Sequence, residues 1–353
     1  MIPVEKQAAQ MLVGRTLPDG WEVIEKLKRD PSHTGGVYSS CYLVKNGTRR
    51  GFLKAFDYSG ALKVGEDSAQ LLKNILNAYT LERDILSSCK ENRCKNIIRL
   101  LDTGNIEIED AAQYPRVEYL ILEFAEKGDI RNTLSEKQLT LKIQLRSLHQ
   151  LANGLRQIHK LKYAHQDIKP SNIVRCGDGI TKITDFGSAV PVYSEVMSLP
   201  RHLQMPIPGS WAYAPPELLY GDLNVNSAIR RIGCDLYLLG SMVAFYFTNM
   251  NMTALIKNNL ADSVSWENPE TYGKYPEVKS YVNAAFQLAL GDIAQQINDN
   301  EIKDQVLLVV RFLCNPDPAK RGHEKTISQL GSNYDLERFV TIFDVIASKY
   351  ERL

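Results

Sequence analysis

The pattern of apolar positions divides the chain into a strand-rich first third and a helical remainder. From residue 21 to about residue 123, short alternating or clustered apolar runs predict strands interrupted by one helix. The predicted strands are WEVIEKL, SSCYLV, GFLKAF, NIIRLLDTGNI and VEYLILEF. The predicted helix is SAQLLKNILNAYTLERDILSSC, and one of its faces carries Leu72, Ile75, Leu76 and Tyr79.

Beyond Gly128 the apolar spacing becomes helical, first in LKIQLRSLHQLANGLRQIHKL and then through residues 236–247, 278–297 and 306–314. Strands followed by helices predict an α+β fold with a small β-rich lobe and a larger helical lobe. The boundary is expected at 124–128, with a ligand cleft between the lobes. The stretch DLERFVTIFDVIASKYERL predicts an amphipathic helix, which either packs on its own lobe, the favoured interpretation, or binds a partner.

Composition and charge narrow the class of protein. The chain has 353 residues, of which 44% are hydrophobic and 24% are charged, and its formal net charge is +1. This balance gives no indication of a nucleic-acid or membrane-surface partner. Six scattered cysteines without a C-x-x-C pair predict free thiols in a reducing compartment. The first 20 residues lack a signal peptide, and no apolar run reaches the ~20 residues of a membrane span. We therefore expect a soluble, cytoplasmic protein.

Two short polar motifs offer candidate chemistry for phosphoryl transfer. Residues 165–172 read HQDIKPSN, and residues 184–187 read TDFG. Transfer of a phosphoryl group needs metal ions to neutralise the phosphates and a carboxylate to receive the proton of the acceptor hydroxyl. A loop that contains Asp, Lys and Asn, with a second Asp a short distance downstream, supplies ligands for the metal ions and a carboxylate to receive the proton.

These motifs resemble the catalytic loop and the magnesium-binding motif of the protein kinase family. The resemblance implies that Asp167 is the catalytic base and that Lys169 contacts the γ-phosphate. It implies that Asn172 and Asp185 hold magnesium. Lysine at position 169 resembles the serine/threonine-specific branch of the family.

The first lobe carries further positions that the resemblance implies. Lys54, at the end of GFLK, and Glu82, in the following helix, match the pair in which the lysine binds the α- and β-phosphates of ATP. As isolated residues they would be ordinary surface charges. The positions implied for ATP binding are Gly35, Gly36, Lys54, Glu123, Ala125 and Val174.

Residues 209–217, GSWAYAPPE, resemble the end of a kinase activation segment. Ser210 matches the position where serine/threonine kinases keep a hydroxyl near the catalytic Asp and Lys, and Glu217 matches a glutamate that pairs with a late arginine, here Arg321. Asp235 resembles the helix residue that braces the catalytic-loop backbone. Small-molecule kinases of related fold generally lack this segment, so the resemblance implies a protein substrate.

Three departures from the family pattern bear on activity. In the glycine-rich loop only Gly36 falls on a glycine position of the family pattern. Phe52 stands where the family usually has an alanine that contacts adenine. Gln166 replaces the arginine that normally binds a phosphate on the activation segment. We therefore expect basal activity without that phosphate, unless another cation, such as Arg201 or Lys182, takes the place of the arginine.

The sequence as a whole predicts an ATP- and magnesium-dependent serine/threonine protein kinase. The expected organisation is an N-terminal extension at 1–20, an N-lobe at 21–124, a C-lobe at 125–330 and a C-terminal helix at 331–353. The alternative is a pseudokinase that acts as a scaffold for a partner protein, which the weak glycine loop and Phe52 favour. A small-molecule kinase would leave the segment 209–217 unexplained, and the sequence leaves the oligomeric state open.

Overall fold

The computed structural model describes residues 7–28, 39–58, 68–111, 114–136, 139–194, 207, 209–222, 227–330 and 335–351. The chain forms two compact units. The first comprises the described residues up to Glu126 together with Asp185–Gly187, and the second comprises the other described residues from Lys127 onwards. Gly35, Gly36 and Arg201 lie outside the described residues.

The first unit is built on an antiparallel five-stranded sheet with strand order β1-β2-β3-β5-β4. Its strands are β1 (Glu22–Lys26), β2 (Ser39–Asn46), β3 (Arg49–Phe56), β4 (Leu100–Glu107) and β5 (Arg116–Glu123). A tight turn joins β2 to β3, and Gly47 in this turn has a φ of 58°, a conformation that glycine adopts without strain. Helix α1 (Ser68–Glu91) separates β3 from β4.

One face of this sheet is covered by the segment that precedes β1. Ala9 and Leu12 are buried in a single apolar cluster with Tyr42 and Leu53 from the strands. The hydroxyl of Tyr42 also donates a hydrogen bond of 2.6 Å to the carbonyl oxygen of Ala9. Part of the predicted N-terminal extension is therefore a packed component of the first unit.

The other face of the sheet carries polar groups at β3. Successive side chains of a strand point to opposite faces, so Lys54 lies on the face opposite Leu53 and Ala55, which belong to the apolar cluster. On α1, Ile75 and Tyr79 are buried, whereas Leu76 of the predicted apolar face is 39% exposed.

The second unit is mainly helical. Its helices are α2 (Ile130–Ser135), α3 (Leu141–Lys160), α4 (Pro216–Leu219), α5 (Ser227–Thr248), α6 (Met252–Asn258), α7 (Tyr275–Gln295), α8 (Asn300–Leu313), α9 (Glu324–Leu330) and α10 (Glu337–Glu351). Its short strands are β6 (Tyr163–Ala164), β7 (Ile173–Arg175), β8 (Thr181–Ile183) and β9 (Val190–Pro191). They form two antiparallel pairs, β6 with β9 and β7 with β8. The α+β class predicted from the sequence, with one β-rich and one helical unit, is confirmed.

The C-terminal helix packs within its own unit. Phe339 and Phe343 are buried, and α10 lies against α3. The guanidinium of Arg146 on α3 contacts the carboxylates of Asp344 at 2.9 Å and Glu351 at 2.6 Å. The apolar stripe is thus accounted for by intramolecular packing. Among the described residues, none of the helices combines the length and the apolar character required of a bilayer span.

Candidate active site

In the first unit, Lys54 lies between two carboxylates. Its Nζ is 2.7 Å from Oε2 and 2.9 Å from Oε1 of Glu82, and 2.9 Å from Oδ1 of Asp185. Lys54 is 8% exposed and Glu82 is 1% exposed, so this is a buried ion-pair cluster rather than a pair of surface charges. The pairing of Lys54 with Glu82 predicted from the sequence is confirmed.

The charges in this cluster depend on one another. Burial alone would lower the pKa of Lys54, but the carboxylates of Asp185 and Glu82 outweigh burial and hold its pKa above the ordinary value. Burial raises the pKa of Glu82, an effect that Lys54 opposes. The two carboxylates thus favour the charged form of Lys54 and hold its ammonium group in place.

The positions implied for adenine binding in the first unit lie at the end of β5. The amide of Glu123 donates to the carbonyl oxygen of Arg99 at 2.9 Å, and Oε1 of Glu123 accepts from the amide of Arg99 at 2.7 Å. Ala125 follows the strand and is half-buried. Phe52 is half-buried, and because it stands two residues before Lys54 on β3 it shares the lysine's face of the sheet.

In the second unit, Asp167 is the centre of a hydrogen-bond network. Its Oδ2 accepts from Nζ of Lys169 at 2.7 Å and from Nδ2 of Asn172 at 3.1 Å. The same Nδ2 donates to the backbone carbonyl of Asp167 at 2.9 Å. The structure thus brings three of the predicted residues together, and the lysine and the asparagine fix the orientation of the carboxylate.

The catalytic-loop backbone is braced from α5. Asp235 is fully buried, and its two oxygens accept hydrogen bonds of 2.8 Å from the amides of His165 and Gln166. Nε2 of His159 is a further 2.8 Å neighbour of Asp235. These bonds hold Gln166 at a φ of 67°, a left-handed conformation that costs a non-glycine residue free energy. The predicted brace is confirmed.

His165 itself is structural in this arrangement. It is fully buried, its Nε2 is 3.2 Å from the carbonyl oxygen of Thr184, and its Nδ1 accepts from the amide of Asp167 at 3.3 Å. Val174, the implied adenine contact of this unit, lies on β7 opposite Lys182 of β8 and is half-buried.

The end of the predicted activation segment is tied into the second unit by a buried ion pair. Nη1 and Nη2 of Arg321 donate to the two oxygens of Glu217 at 2.7 and 2.9 Å. Arg321 is fully buried and Glu217 is 3% exposed. Burial alone would lower the pKa of Arg321, but Glu217 raises it above the ordinary value. The predicted pairing is confirmed, and its bidentate geometry explains why two charges are tolerated in the interior.

Ser210 contacts the catalytic loop through its backbone. Its amide donates a hydrogen bond of 2.9 Å to Oδ1 of Asp167. The resemblance to serine/threonine kinases predicts a hydroxyl at this position near Asp167 and Lys169. The contact found is made by the main chain, which no residue type at position 210 could reveal.

Sequence reasoning missed one residue near the site, Arg231 on α5. Its Nη1 donates to carbonyl oxygens of Pro191, Val192 and Ser194, just downstream of residues 185–187. The available signal was the pair Arg230-Arg231 within the run IRRIGCDLYLLG, whose only other charged residue is Asp235. Such a pair in an apolar helix requires buried partners.

Comparison with known proteins agrees with this geometry. The family model described as "Protein kinase domain" matches residues 36–330, which is most of the chain. The chain therefore belongs to the protein kinase family.

Several curated kinases are similar to part of this chain. It is 31% identical over 187 residues to an Aurora kinase of Schizosaccharomyces pombe, covering 53% of this chain and 46% of that protein. It is 29% identical over 215 residues to human cyclin-dependent kinase 9, covering 56% and 54%. A probable serine/threonine-protein kinase of Dictyostelium discoideum is 27% identical over 224 residues, covering 63% and 40%. The chain spans about half the length of the curated relatives it matches.

Proposed function

We propose that this chain is an active serine/threonine protein kinase that transfers the γ-phosphate of ATP to a hydroxyl of a protein substrate. The observation that carries the proposal is the arrangement around Asp167, whose carboxylate is held by Lys169 and Asn172. A carboxylate fixed by a cation and an amide is suited to orient a hydroxyl and receive its proton. The intact set of Lys54, Glu82 and Asp185 supports the same function.

In the proposed reaction Lys54 binds the α- and β-phosphates of ATP, and Glu82 holds the ammonium group in place. Glu123 and Ala125 provide backbone groups for the adenine, and Val174 provides apolar contact. Gly35 and Gly36 are proposed to cover the phosphates through their backbone amides. Lys169 stabilises negative charge on the transferring phosphoryl group, and Asp167 takes the proton from the serine or threonine hydroxyl.

Two residues, each considered within its own unit, have donor atoms suited to a magnesium ion. Asp185 offers a carboxylate that is 25% exposed. The amide nitrogen of Asn172 is engaged with Asp167, and its amide oxygen, which accepts one long hydrogen bond of 3.5 Å from the hydroxyl of Ser171, has a second lone pair for a metal. Mg²⁺ prefers one or two such oxygen ligands together with phosphate oxygens. When bound, magnesium neutralises charge that develops on the phosphates. Asp185 and Asn172 are the residues that we propose hold it.

The test is a phosphotransfer assay with the purified chain, radiolabelled ATP, magnesium and a mixed protein substrate, followed by phosphoamino-acid analysis. We expect label on serine and threonine, and loss of the label in Asp185→Asn. Label mainly on tyrosine would contradict the assigned specificity. Absence of transfer, together with absence of ATP binding in calorimetry, would overturn the proposal.

A second candidate function is a pseudokinase scaffold. The observation that favours it is Phe52, whose phenyl ring shares the face of β3 that carries Lys54. A ring at that position reduces the space available to a nucleotide. The calorimetric measurement distinguishes the two functions, because a scaffold would bind a partner protein without binding ATP.

A further inference from the structure

Arg231 is a buried cation that binds main-chain carbonyls instead of a carboxylate. It is 3% exposed, and no ion pair involves it within the part of the chain that the structure describes. Its Nη1 donates to the carbonyl oxygens of Pro191 at 2.6 Å, Val192 at 3.0 Å and Ser194 at 2.8 Å. The same nitrogen is 3.2 Å from the hydroxyl oxygen of Ser194. One amino group thus contacts oxygen atoms from three residues of a four-residue stretch.

Holding a guanidinium in this place has a free-energy cost. Burial lowers the pKa of Arg231, and the positive charge of Arg230 lowers it further. The oxygens of residues 191–194 are what compensate for the lost hydration, since a buried charge is tolerated only when it is hydrogen-bonded. The carbonyls converge on one nitrogen only in a particular backbone conformation, so the arginine specifies the shape of this stretch.

The stretch 191–194 is also joined to the catalytic loop. Val190 and Pro191 form β9, which pairs with β6, and the amide of Val192 donates to the carbonyl of Lys162 at 2.9 Å. The backbone oxygen of Arg231 accepts a hydrogen bond of 2.7 Å from Nε2 of Gln166, the residue before Asp167. Arg231 therefore contacts the start of the activation segment with its side chain and the catalytic loop with its main chain.

We propose that Arg231 is a positioning residue that holds residues 191–194 against α5, and that this contact replaces the arginine–phosphate contact which Gln166 cannot make. The proposal rests on the proposed kinase function and concerns the regulation of that site. Because carbonyl oxygens are always present, the stretch is ordered without any phosphate. Activity should then be constitutive with respect to phosphorylation of this segment.

Arg231 has a second donor group that a phosphate could use. Nη2 of Arg231 is buried and has no partner among the described residues. A phosphate on the hydroxyl of Ser194 would supply oxygen atoms close to this donor. Under our proposal such a phosphate is not required. A strong requirement for it would overturn the proposal.

The test uses Arg231→Gln with Arg230→Gln as its matched control. Both remove one positive charge from α5, but no hydrogen bond to the segment is found for Arg230 within the described residues. Hydrogen exchange of the Val192 amide should become about tenfold faster in Arg231→Gln, equivalent to roughly 1.4 kcal/mol, and stay within about twofold in Arg230→Gln. Equal exchange in the two variants would overturn the proposal.

Kinetics provide a readout that a general loss of stability would not produce. In Arg231→Gln we expect kcat toward a peptide substrate to fall about tenfold or more, while the Kd for ATP stays within about twofold. The reason is that none of the proposed ATP-binding residues lies in the stretch 191–194. A fall in kcat accompanied by an equal weakening of ATP binding would contradict a positioning role. If Arg231→Gln does not fold, Arg231→Lys replaces it in the test, because lysine keeps the positive charge but lacks the planar guanidinium. In that variant we expect Val192 exchange to become about threefold faster and kcat to fall about threefold.

Phosphatase treatment of the wild-type enzyme, checked by mass spectrometry, completes the test. Activity should remain within about twofold, and a loss of about tenfold or more would overturn the proposal. Hydrogen exchange needs no catalysis, so its result is independent of the proposed function. An inactive chain with faster Val192 exchange in Arg231→Gln would reject the kinase function alone. An active chain with unchanged exchange would reject the role of Arg231 alone.

Discussion

The backbone amide of Ser210 donates a hydrogen bond of 2.9 Å to the carboxylate of Asp167. The residue before it, Gly209, lies so close to the catalytic loop that a Cβ atom there would come within 2.2 Å of the carbonyl oxygen of Gln166. Glycine at position 209 is what allows this approach. The main chain at the end of the activation segment thus contacts the carboxylate of Asp167, which we propose as the catalytic base.

A methyl group at position 209 should separate these two segments. In Gly209→Ala the clash involves backbone on both sides, so a side-chain adjustment cannot relieve it. We expect loss of the hydrogen bond from Ser210 to Asp167 and a fall in kcat/KM of about tenfold to a hundredfold, because contacts to a charged group are worth about 1.5–3 kcal/mol. Steady-state kinetics with a peptide substrate measure the change.

The matched control for that substitution is Gly291→Ala. Gly291 lies within α7 and has no atom within 4 Å of the position of an added Cβ. Alanine is favoured over glycine in a helix, so this variant should keep full activity and gain up to about 1 kcal/mol of stability. Similar kinetics in the two variants would mean that Gly209 has no special role.

Replacing Asp167 by asparagine should remove the proton acceptor while leaving the fold intact. Asparagine is isosteric and keeps one oxygen for Lys169, but it removes the charge of a buried ion pair, so we also expect a lower melting temperature. Kinetics are therefore measured at a temperature where the variant is folded. We expect kcat to fall by about 10²–10⁴-fold, the usual contribution of a general base. Asp178→Asn is the control, since Asp178 is an exposed turn residue of the same unit. Retention of most activity in Asp167→Asn would exclude the assigned role.

The position of Phe52 leads to a prediction about nucleotide binding. Phe52 is half-buried on the face of β3 that carries Lys54, outside the apolar cluster on the other face. Phe52→Ala should therefore tighten ATP binding, with an expected gain of about tenfold in Kd, or roughly 1.4 kcal/mol. Isothermal titration calorimetry of both proteins, with magnesium, measures the change.

Leu53→Ala tests the opposite face of the same strand. Leu53 is fully buried in the apolar cluster, so its truncation should reduce the free energy of unfolding by about 2–5 kcal/mol. If Phe52→Ala instead destabilises the protein to that extent and leaves the Kd for ATP unchanged, the ring belongs to the packing and not to a nucleotide site.

Breaking the ion pair between Glu217 and Arg321 should be costly, because it leaves an unpaired charge in the interior. For Glu217→Gln we expect a loss of about 3–5 kcal/mol in the free energy of unfolding, measured by urea denaturation. The control is Glu267→Gln, which removes a carboxylate whose side chain is 67% exposed from its pair with Lys257. That change should stay within about 0.5 kcal/mol. Comparable losses of unfolding free energy in the two variants would show that the buried ion pair contributes no more to stability than the exposed one.

Much of the candidate site could be predicted from the sequence because the chemistry demands particular residue types at short spacing. Asp167, Lys169 and Asn172 lie within six residues of one another, so local backbone geometry is enough to bring them together. Glu82 and Arg321 were found through their resemblance to family positions, and the structure pairs them with Lys54 and Glu217.

The role of Arg231 could not be predicted in the same way. Its partners are backbone oxygens of Pro191, Val192 and Ser194, about forty residues earlier, and backbone groups are the same for every residue type. The sequence alone points to Arg201 or Lys182 as the cation that could replace the missing arginine. Arg201 lies outside the described residues, and Lys182 is a buried residue of β8.

By itself, the sequence determined the order of strands and helices, since periodicity and turn residues such as Gly47 act over a few residues. Only the tertiary structure decided how distant segments meet. The covering of the sheet by Ala9 and Leu12, and the use of the Ser210 amide rather than its hydroxyl, are examples. These contacts depend on packing and main-chain hydrogen bonds between segments far apart in the chain, and residue identity alone does not encode such geometry.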